Sequence, residues 1–195
     1  DWHERHTLLK AGFAFDILAD HWRNEIQFGH VERPMHANTS WDEARFEVCA
    51  HKWVDVSEGN YGVALLNDCK YGHDSLDKQI SITLLRSPMN PDAEADQGEH
   101  EFTYALLPHD GPFNTEAVVH EAYALNQTLT PIFLGETTGD GHGLDFCSVD
   151  NPNVIMESIK KAEKDDAVIL RCYEAGKTRG PATFTFARSI KKAAT

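Results

Sequence analysis

Eleven histidines, 31 acidic residues and four cysteines are the groups that could do chemistry in this chain of 195 residues. His3 and His6 flank Glu4-Arg5. A zinc pair on one helix face needs histidines four apart with a glutamate after the first. Here the spacing is three and the segment leads toward a strand, which disfavours a metal site. Glu99-His100-Glu101 alternates, so a strand there would carry both carboxylates on one face and the imidazole on the other. A solvated acidic face is the expected outcome. Glycosidic bond cleavage uses two carboxyl groups, one as acid/base and one as nucleophile or base. Counting carboxylates does not find such a pair, because many lie in charged loops such as Asp92-Ala93-Glu94-Ala95-Asp96. Nucleophilic triads are defined by geometry and not by spacing, and none is legible. Trp22, Trp41 and Trp53 lie near polar segments, where an indole ring can stack on a sugar face or simply fill a core.

The elements that must position these groups read mostly as strands. Thr7 to Phe15, Ala44 to Cys49, Tyr61 to Leu66, Gln79 to Leu85 and Glu101 to Leu107 alternate or are rich in β-branched, aromatic and leucine residues. Turn signals separate them at Glu58-Gly59-Asn60, from Asp68 to Asp74, and at Ser87-Pro88-Met89-Asn90-Pro91-Asp92. His30 and His36 bracket a Pro-containing segment that reads as a loop. Such spacing predicts an all-β, antiparallel sandwich or barrel, without the strand-helix rhythm of a nucleotide-binding α/β fold. Residues 116–125 fit a short helix or an extended segment, and the latter is slightly favoured. Gly135 to Gly143 reads as a loop; no Gly-Lys-Ser/Thr follows to make a phosphate cradle. Residues 152–162 fit a helix or the first strand of a hairpin whose partner is Ala167 to Tyr173. Ala182 to Phe186 is a further alternating strand.

Composition narrows the partners. Eighteen basic against 31 acidic residues give a net charge of −13, the wrong sign for a phosphate backbone or an anionic membrane surface. No apolar run approaches the roughly 18 residues of a membrane span. The chain opens without an initiator Met or a signal-peptide core and is expected to begin at the cut edge of something larger. Cys49, Cys69, Cys147 and Cys172 lack C-x-x-C spacing, so buried free thiols are favoured over two disulfides. Two N-x-S/T triplets, at Asn38 and Asn126, do not establish secretion.

Longer strings are more specific. Residues 25–34 (EIQFGHVERP) run into 38–49 (NTSWDEARFEVC), then His51-Lys52-Trp53 and Asp55, then 61–72 (YGVALLNDCKYG). Leu84-Leu85-Arg86-Ser87-Pro88 and 96–104 (DQGEHEFTY) follow. Together these resemble the C-terminal β region of glycoside hydrolase family 38 α-mannosidases, in the branch of bacterial and fungal vacuolar-type enzymes. The resemblance covers nearly the whole chain and is strongest over residues 2–109.

That resemblance implies a galactose-mutarotase-like supersandwich over 1–134, lacking its N-terminal part, and a smaller C-terminal β portion over 135–195. It favours the hairpin reading of 152–173. It implies a parent enzyme that hydrolyses α-linked mannose with retention, using zinc and two Asp residues upstream of this chain. No residue here matches those catalytic or metal motifs, so no cofactor is expected within the chain. The implied partners are the catalytic N-terminal domain of the same chain, mannose-containing glycans and a homo-oligomer, in the cytoplasm. Loops of the sandwich are expected to close one side of the cleft. Asn67 and Asp68 could bond sugar hydroxyls, Lys70 could orient a carboxylate and Tyr71 could stack. His36, Trp41 and Asp42 form a second candidate loop. Turn formation and interdomain packing remain the alternative for both. An aldose-1-epimerase-like enzyme would draw on His30, His100 or His109 with Glu101, and a carbohydrate-binding module would draw on the Trp rings.

Overall fold

Alternating burial along the strands decides how the chain is layered. In β5 (Trp53–Ser57) and β6 (Tyr61–Asn67), Val54, Val56, Val63 and Leu65 point to one face, while Trp53, Asp55, Ala64 and Leu66 point to the other. Both faces are buried, so each must have a cover. A computed structural model describes residues 1–76, 78–133, 135 and 145–194. It divides into two compact units, Asp1–Gln127 and Thr128–Thr195.

The first unit contains two antiparallel sheets. β1 (Leu9–Ala14), β8 (Gln79–Leu85), β7 (Gly72–Leu76) and β4 (Val48–Cys49) lie side by side in that order. The second sheet runs β3 (Gly29–Pro34), β2 (His21–Ile26), β5, β6 and β9 (Tyr104–Asp110). Between them Ile80 and Ile82 meet Val54, Val56 and Leu65, with Trp22 and Met35 completing the core. Each fully buried aliphatic side chain contributes about 1.5–3 kcal/mol. The expected all-β, antiparallel sandwich is thus present.

The outer face of the five-stranded sheet is covered by α2 (Thr115–Asn126), which contacts β5 and β6. Val118, Val119 and Ala122 are its buried face, and the Asn114 side chain caps it by accepting from Ala117 N–H at 2.7 Å. The slight preference for an extended segment over 116–125 is corrected here. Two adjacent valines lower helix propensity, but the Asn114 cap and the sheet beneath outweigh that.

Other boundaries also move. Residues 44–49 are not one strand: α1 (Ser40–Ala44) takes the first of them, and β4 keeps only Val48–Cys49. Thr39 and Asp42 form a reciprocal capping box that fixes this short helix. Residues 99–103 are irregular and exposed at Glu99, His100 and Glu101, with the strand starting at Tyr104. The segment between His30 and His36 is mostly strand β3 and not a loop.

In the second unit, β11 (Val154–Lys161) and β12 (Val168–Glu174) make the hairpin, with Ile155 opposite Tyr173 and Ile159 opposite Leu170. β10 (Cys147–Val149) pairs with β13 (Phe184–Phe186). The boundary at 134/135 involves a residue outside the described set, as does the expected loop from Gly135 to Gly143 beyond Gly135 itself. All four cysteines are free thiols, but Cys49 and Cys69 are exposed and the other two half-buried, which corrects the expectation of burial. Among the described residues no helix is long and apolar enough to cross a membrane.

Candidate functional site

Cross-strand register assembles the polar groups of the first unit. On the outer face of the five-stranded sheet, Arg23 of β2 lies opposite Asp55 of β5, and His109 of β9 lies opposite Gly62 of β6. The His109 imidazole passes over Gly62 and its Nε2 lies 2.7 Å from Asp55 Oδ2. Ser57 Oγ donates to Asp55 Oδ1 at 3.0 Å, and Arg23 Nη1 donates to Ser57 Oγ at 3.1 Å. Arg23 Nε also pairs with Glu32 at 3.2 Å. The hydrogen bond to Asp55 raises the His109 pKa, against the opposing effect of burial. Asp55 is satisfied by both neighbours and Ser57 bonds Asp55 and not the imidazole, so this is a buried structural network and not a nucleophile-base pair.

The loop after β6 contains four of the candidate residues. Asn67 is fully buried: its Nδ2 donates to the His51 carbonyl at 2.7 Å and its Oδ1 accepts from Lys70 N–H at 2.7 Å. Asp68 Oδ2 accepts from Thr103 N–H at 2.9 Å. These two side chains shape the turn. Lys70 Nζ stands 5.1 Å from the centre of the Phe102 ring. Tyr71 is half exposed and meets His51 edge-on. Of these four candidates only Tyr71 is exposed, and Lys70 is half-buried against Phe102.

The second candidate loop borders a cavity of about 360 Å³. It opens where the edge strands β3 and β4 come together with the segment carrying α1, and both sheets contribute to its wall. His36 and Asp42 meet at its rim, with Nδ1 3.8 Å from Oδ2. The Thr39 side chain, bonding Asp42, holds that carboxyl below its ordinary pKa. Trp41 does not line the cavity and is 82% exposed. Sequence reasoning missed the residues deeper in. His73 is fully buried on β7, on the face it shares with Ser75. Their cross-strand partners Ile82 and Ile80 belong to the core, so both side chains point into the sandwich. A Gly-His-Asp-Ser run beside a turn signal reads as polar surface, and only pairing with β8 turns it inward.

The remaining candidates separate. Trp22 and Trp53 are core residues, 3% and 1% exposed. His30 is buried against Trp53 and Phe113, His109 is engaged with Asp55, and His100 bonds the Asp96 carbonyl on an exposed loop. Among the described residues no three His, Cys, Asp or Glu side chains converge where a metal could sit. The zinc implied by the resemblance therefore finds no fitting ligand set among them.

The Glycosyl hydrolases family 38 C-terminal domain matches residues 1–94, and the family's C-terminal beta sandwich domain matches residues 153–195. The chain belongs to glycoside hydrolase family 38. Within it, the chain is 46% identical over 194 residues to alpha-mannosidase G of Dictyostelium discoideum, covering 97% of this chain and 18% of that protein. It is 47% identical over 177 residues to human alpha-mannosidase 2C1, covering 89% of this chain and 17% of the relative. The yeast alpha-mannosidase is 42% identical over 170 residues, covering 86% and 15%. The chain thus spans less than a fifth of the length of these curated family 38 relatives, as a C-terminal region. An alpha-mannosidase structure from Enterococcus faecalis shares the fold, with a TM-score of 0.77 at 20% identity over 92% of this chain and 21% of that one.

Proposed function

We propose that this chain is the non-catalytic C-terminal β region of a retaining, zinc-dependent α-mannosidase of the cytoplasm. Its relatives carry more than four-fifths of their length outside the matched region, and that coverage is the observation that supports the reading. Retaining hydrolysis needs a nucleophilic carboxylate and a second carboxyl group that first protonates the leaving oxygen and then activates water. In this reading both carboxyls and the zinc ligands belong to the N-terminal catalytic domain, and no step runs through a metal held here. The chain's own residues position and enclose. Lys70 and Tyr71 extend from a turn pinned by Asn67 and Asp68, which suits them to meet a mannose-containing glycan or the catalytic domain's edge. A homo-oligomer would use the surfaces that remain.

The purified chain, supplied with zinc and an aryl α-mannoside, is expected to give no turnover above background. Turnover that follows protein concentration would overturn the reading.

A further inference from the structure

The two sheets of the first unit differ by one strand, and the shortfall lies at a defined edge. β1 ends the four-stranded sheet and β9 ends the five-stranded one. The Phe13 ring of β1 lies 5.8 Å from the Tyr104 ring of β9, so these two strands flank the same opening. Residues directly opposite in an antiparallel pair share a face. Tyr104, Leu106 and Pro108 stand opposite Asn67, Leu65 and Val63, and Leu65 and Val63 point into the core. The three β9 side chains therefore face the inner side of the sandwich. All three are nonetheless exposed, Leu106 by 45% and Tyr104 by 38%. The four-stranded sheet stops short of covering them.

Backbone groups beside this row are open as well. Phe15 N–H donates to the Lys78 carbonyl at 3.0 Å. Bonds to one neighbour alternate along a strand, so Phe13 and Ala11 also face β8, while the N–H groups of Lys10, Gly12 and Ala14 face away. Among the described residues no strand pairs with that side of β1. No proline blunts it, whereas β9 at the other edge includes Pro108, which has no N–H. A free edge beside an apolar row suits an added strand: main-chain bonds hold it and alternate side chains enter the row.

A second copy does not fit this place. Two copies paired through β1 would each bring a β9 that reaches past its own β1, into the space the other β9 fills. A single strand meets no such conflict, and one strand, about 4.8 Å wide, is enough to roof the row. The curated relatives have more than four-fifths of their length outside the matched region, ample to supply it. We infer that the free edge of β1 receives one further strand from the remainder of the longer polypeptide, with alternate apolar side chains laid on Tyr104, Leu106 and Pro108. This rests on the proposed reading of the chain as one region of a longer enzyme.

The test is amide hydrogen exchange across residues 8–15, measured by mass spectrometry on the isolated chain and on the longer enzyme. The amides of Lys10, Gly12 and Ala14 should exchange about tenfold or more slowly in the longer enzyme than in the isolated chain. Ala11 and Phe13, bonded to β8 in both, are the internal reference. Equal exchange in the two proteins would overturn the inference. Edge amides already slow in the isolated chain would overturn it too, assigning the edge to the chain's own residues or, where slowing follows concentration, to a second copy. Leu106→Glu in the longer enzyme should restore fast exchange at the edge amides while the reference amides stay slow. Edge amides still slow in that variant would overturn the part given to the apolar row, and if the variant fails to fold, the wild-type comparison decides alone. A longer enzyme with slow edge amides and no α-mannosidase activity would overturn the mannosidase reading and support this one. An active enzyme with fast edge amides would do the reverse.

Discussion

His109 reaches Asp55 from two strands away because Gly62, on the strand between them, has no side chain. The imidazole lies over the glycine, and its Nε2 meets Asp55 Oδ2 at 2.7 Å. A Cβ at Gly62 would fall inside van der Waals contact of the ring and 2.8 Å from Ser57 Cβ. Gly62→Ala is therefore expected to lower stability by about 1–3 kcal/mol through overpacking. Gly59→Ala, where a Cβ would meet nothing within 4 Å, is the matched control. Urea denaturation of both variants checks this; equal midpoints would refute the packing argument.

The same pair sets a pH dependence. Asp55 raises the folded pKa of His109 above its ordinary 6.5, so the folded chain holds that proton more tightly than the unfolded one. The stabilisation is complete below the unfolded value and is lost as pH rises through the folded one. Stability should fall with rising pH above about 6.5 by this route. His109→Gln keeps a donor but cannot titrate, and is expected to flatten that limb in a series of melting temperatures. A slope unchanged in the variant would assign the limb to other groups.

His73 acts in the opposite sense. Its folded pKa of about 4 lies below 6.5, so the unfolded chain takes up the proton first as pH falls. Stability should decline between pH 6.5 and about 4, by up to about 3 kcal/mol across that window. His73→Gln should remove this part of the acid sensitivity, as read from denaturant midpoints across the window. A variant as acid-sensitive as wild type would show that His73 carries no share of it.

The loop after β6 divides into residues that hold it and residues that face outward. Asn67→Ala would strand the His51 carbonyl and the Lys70 N–H, both bonded to the Asn67 side chain. It is expected to cost about 1–3 kcal/mol. Tyr71→Ala should stay within about 0.5 kcal/mol of wild type, as surface changes do, and Lys70→Ala, which loses the half-buried contact with Phe102, should cost up to about 1 kcal/mol. In the longer enzyme proposed above, these two are expected to raise KM for a mannoside more than they lower kcat. Thermal melts of the chain and steady-state kinetics of the enzyme separate the two classes. A large stability loss in Tyr71→Ala would make that residue structural.

How far the sequence was readable depended on the kind of signal. Strands β6 and β8 were legible because each buries apolar residues in a run bounded by turn residues. The hairpin of β11 and β12 was legible as one of two readings, since Ile155 and Ile159 fit a helical face as well as a strand. β4 was overestimated because Ala44 and Phe46 alternate with polar neighbours, while the Thr39–Asp42 capping box took Ala44 into a helix. α2 was misjudged because its apolar stripe is short. Its helical state depends on a cap at Asn114 and on the sheet below. Of the candidate site residues, His36 and Asp42 meet at one rim, Tyr71 faces outward, Lys70 lies half-buried over Phe102, and Asn67 is spent inside its turn.

The sequence by itself determined the family, the all-β class and the strongly acidic surface. Those properties depend on residue identities in order and on local periodicity. Tertiary structure alone decided that His109 finds Asp55 across Gly62, because three strands had to pair in one register to align them. It alone placed His73 and Ser75 inside the sandwich mouth. A strand's two faces are interchangeable until its neighbour's register fixes which one meets the core.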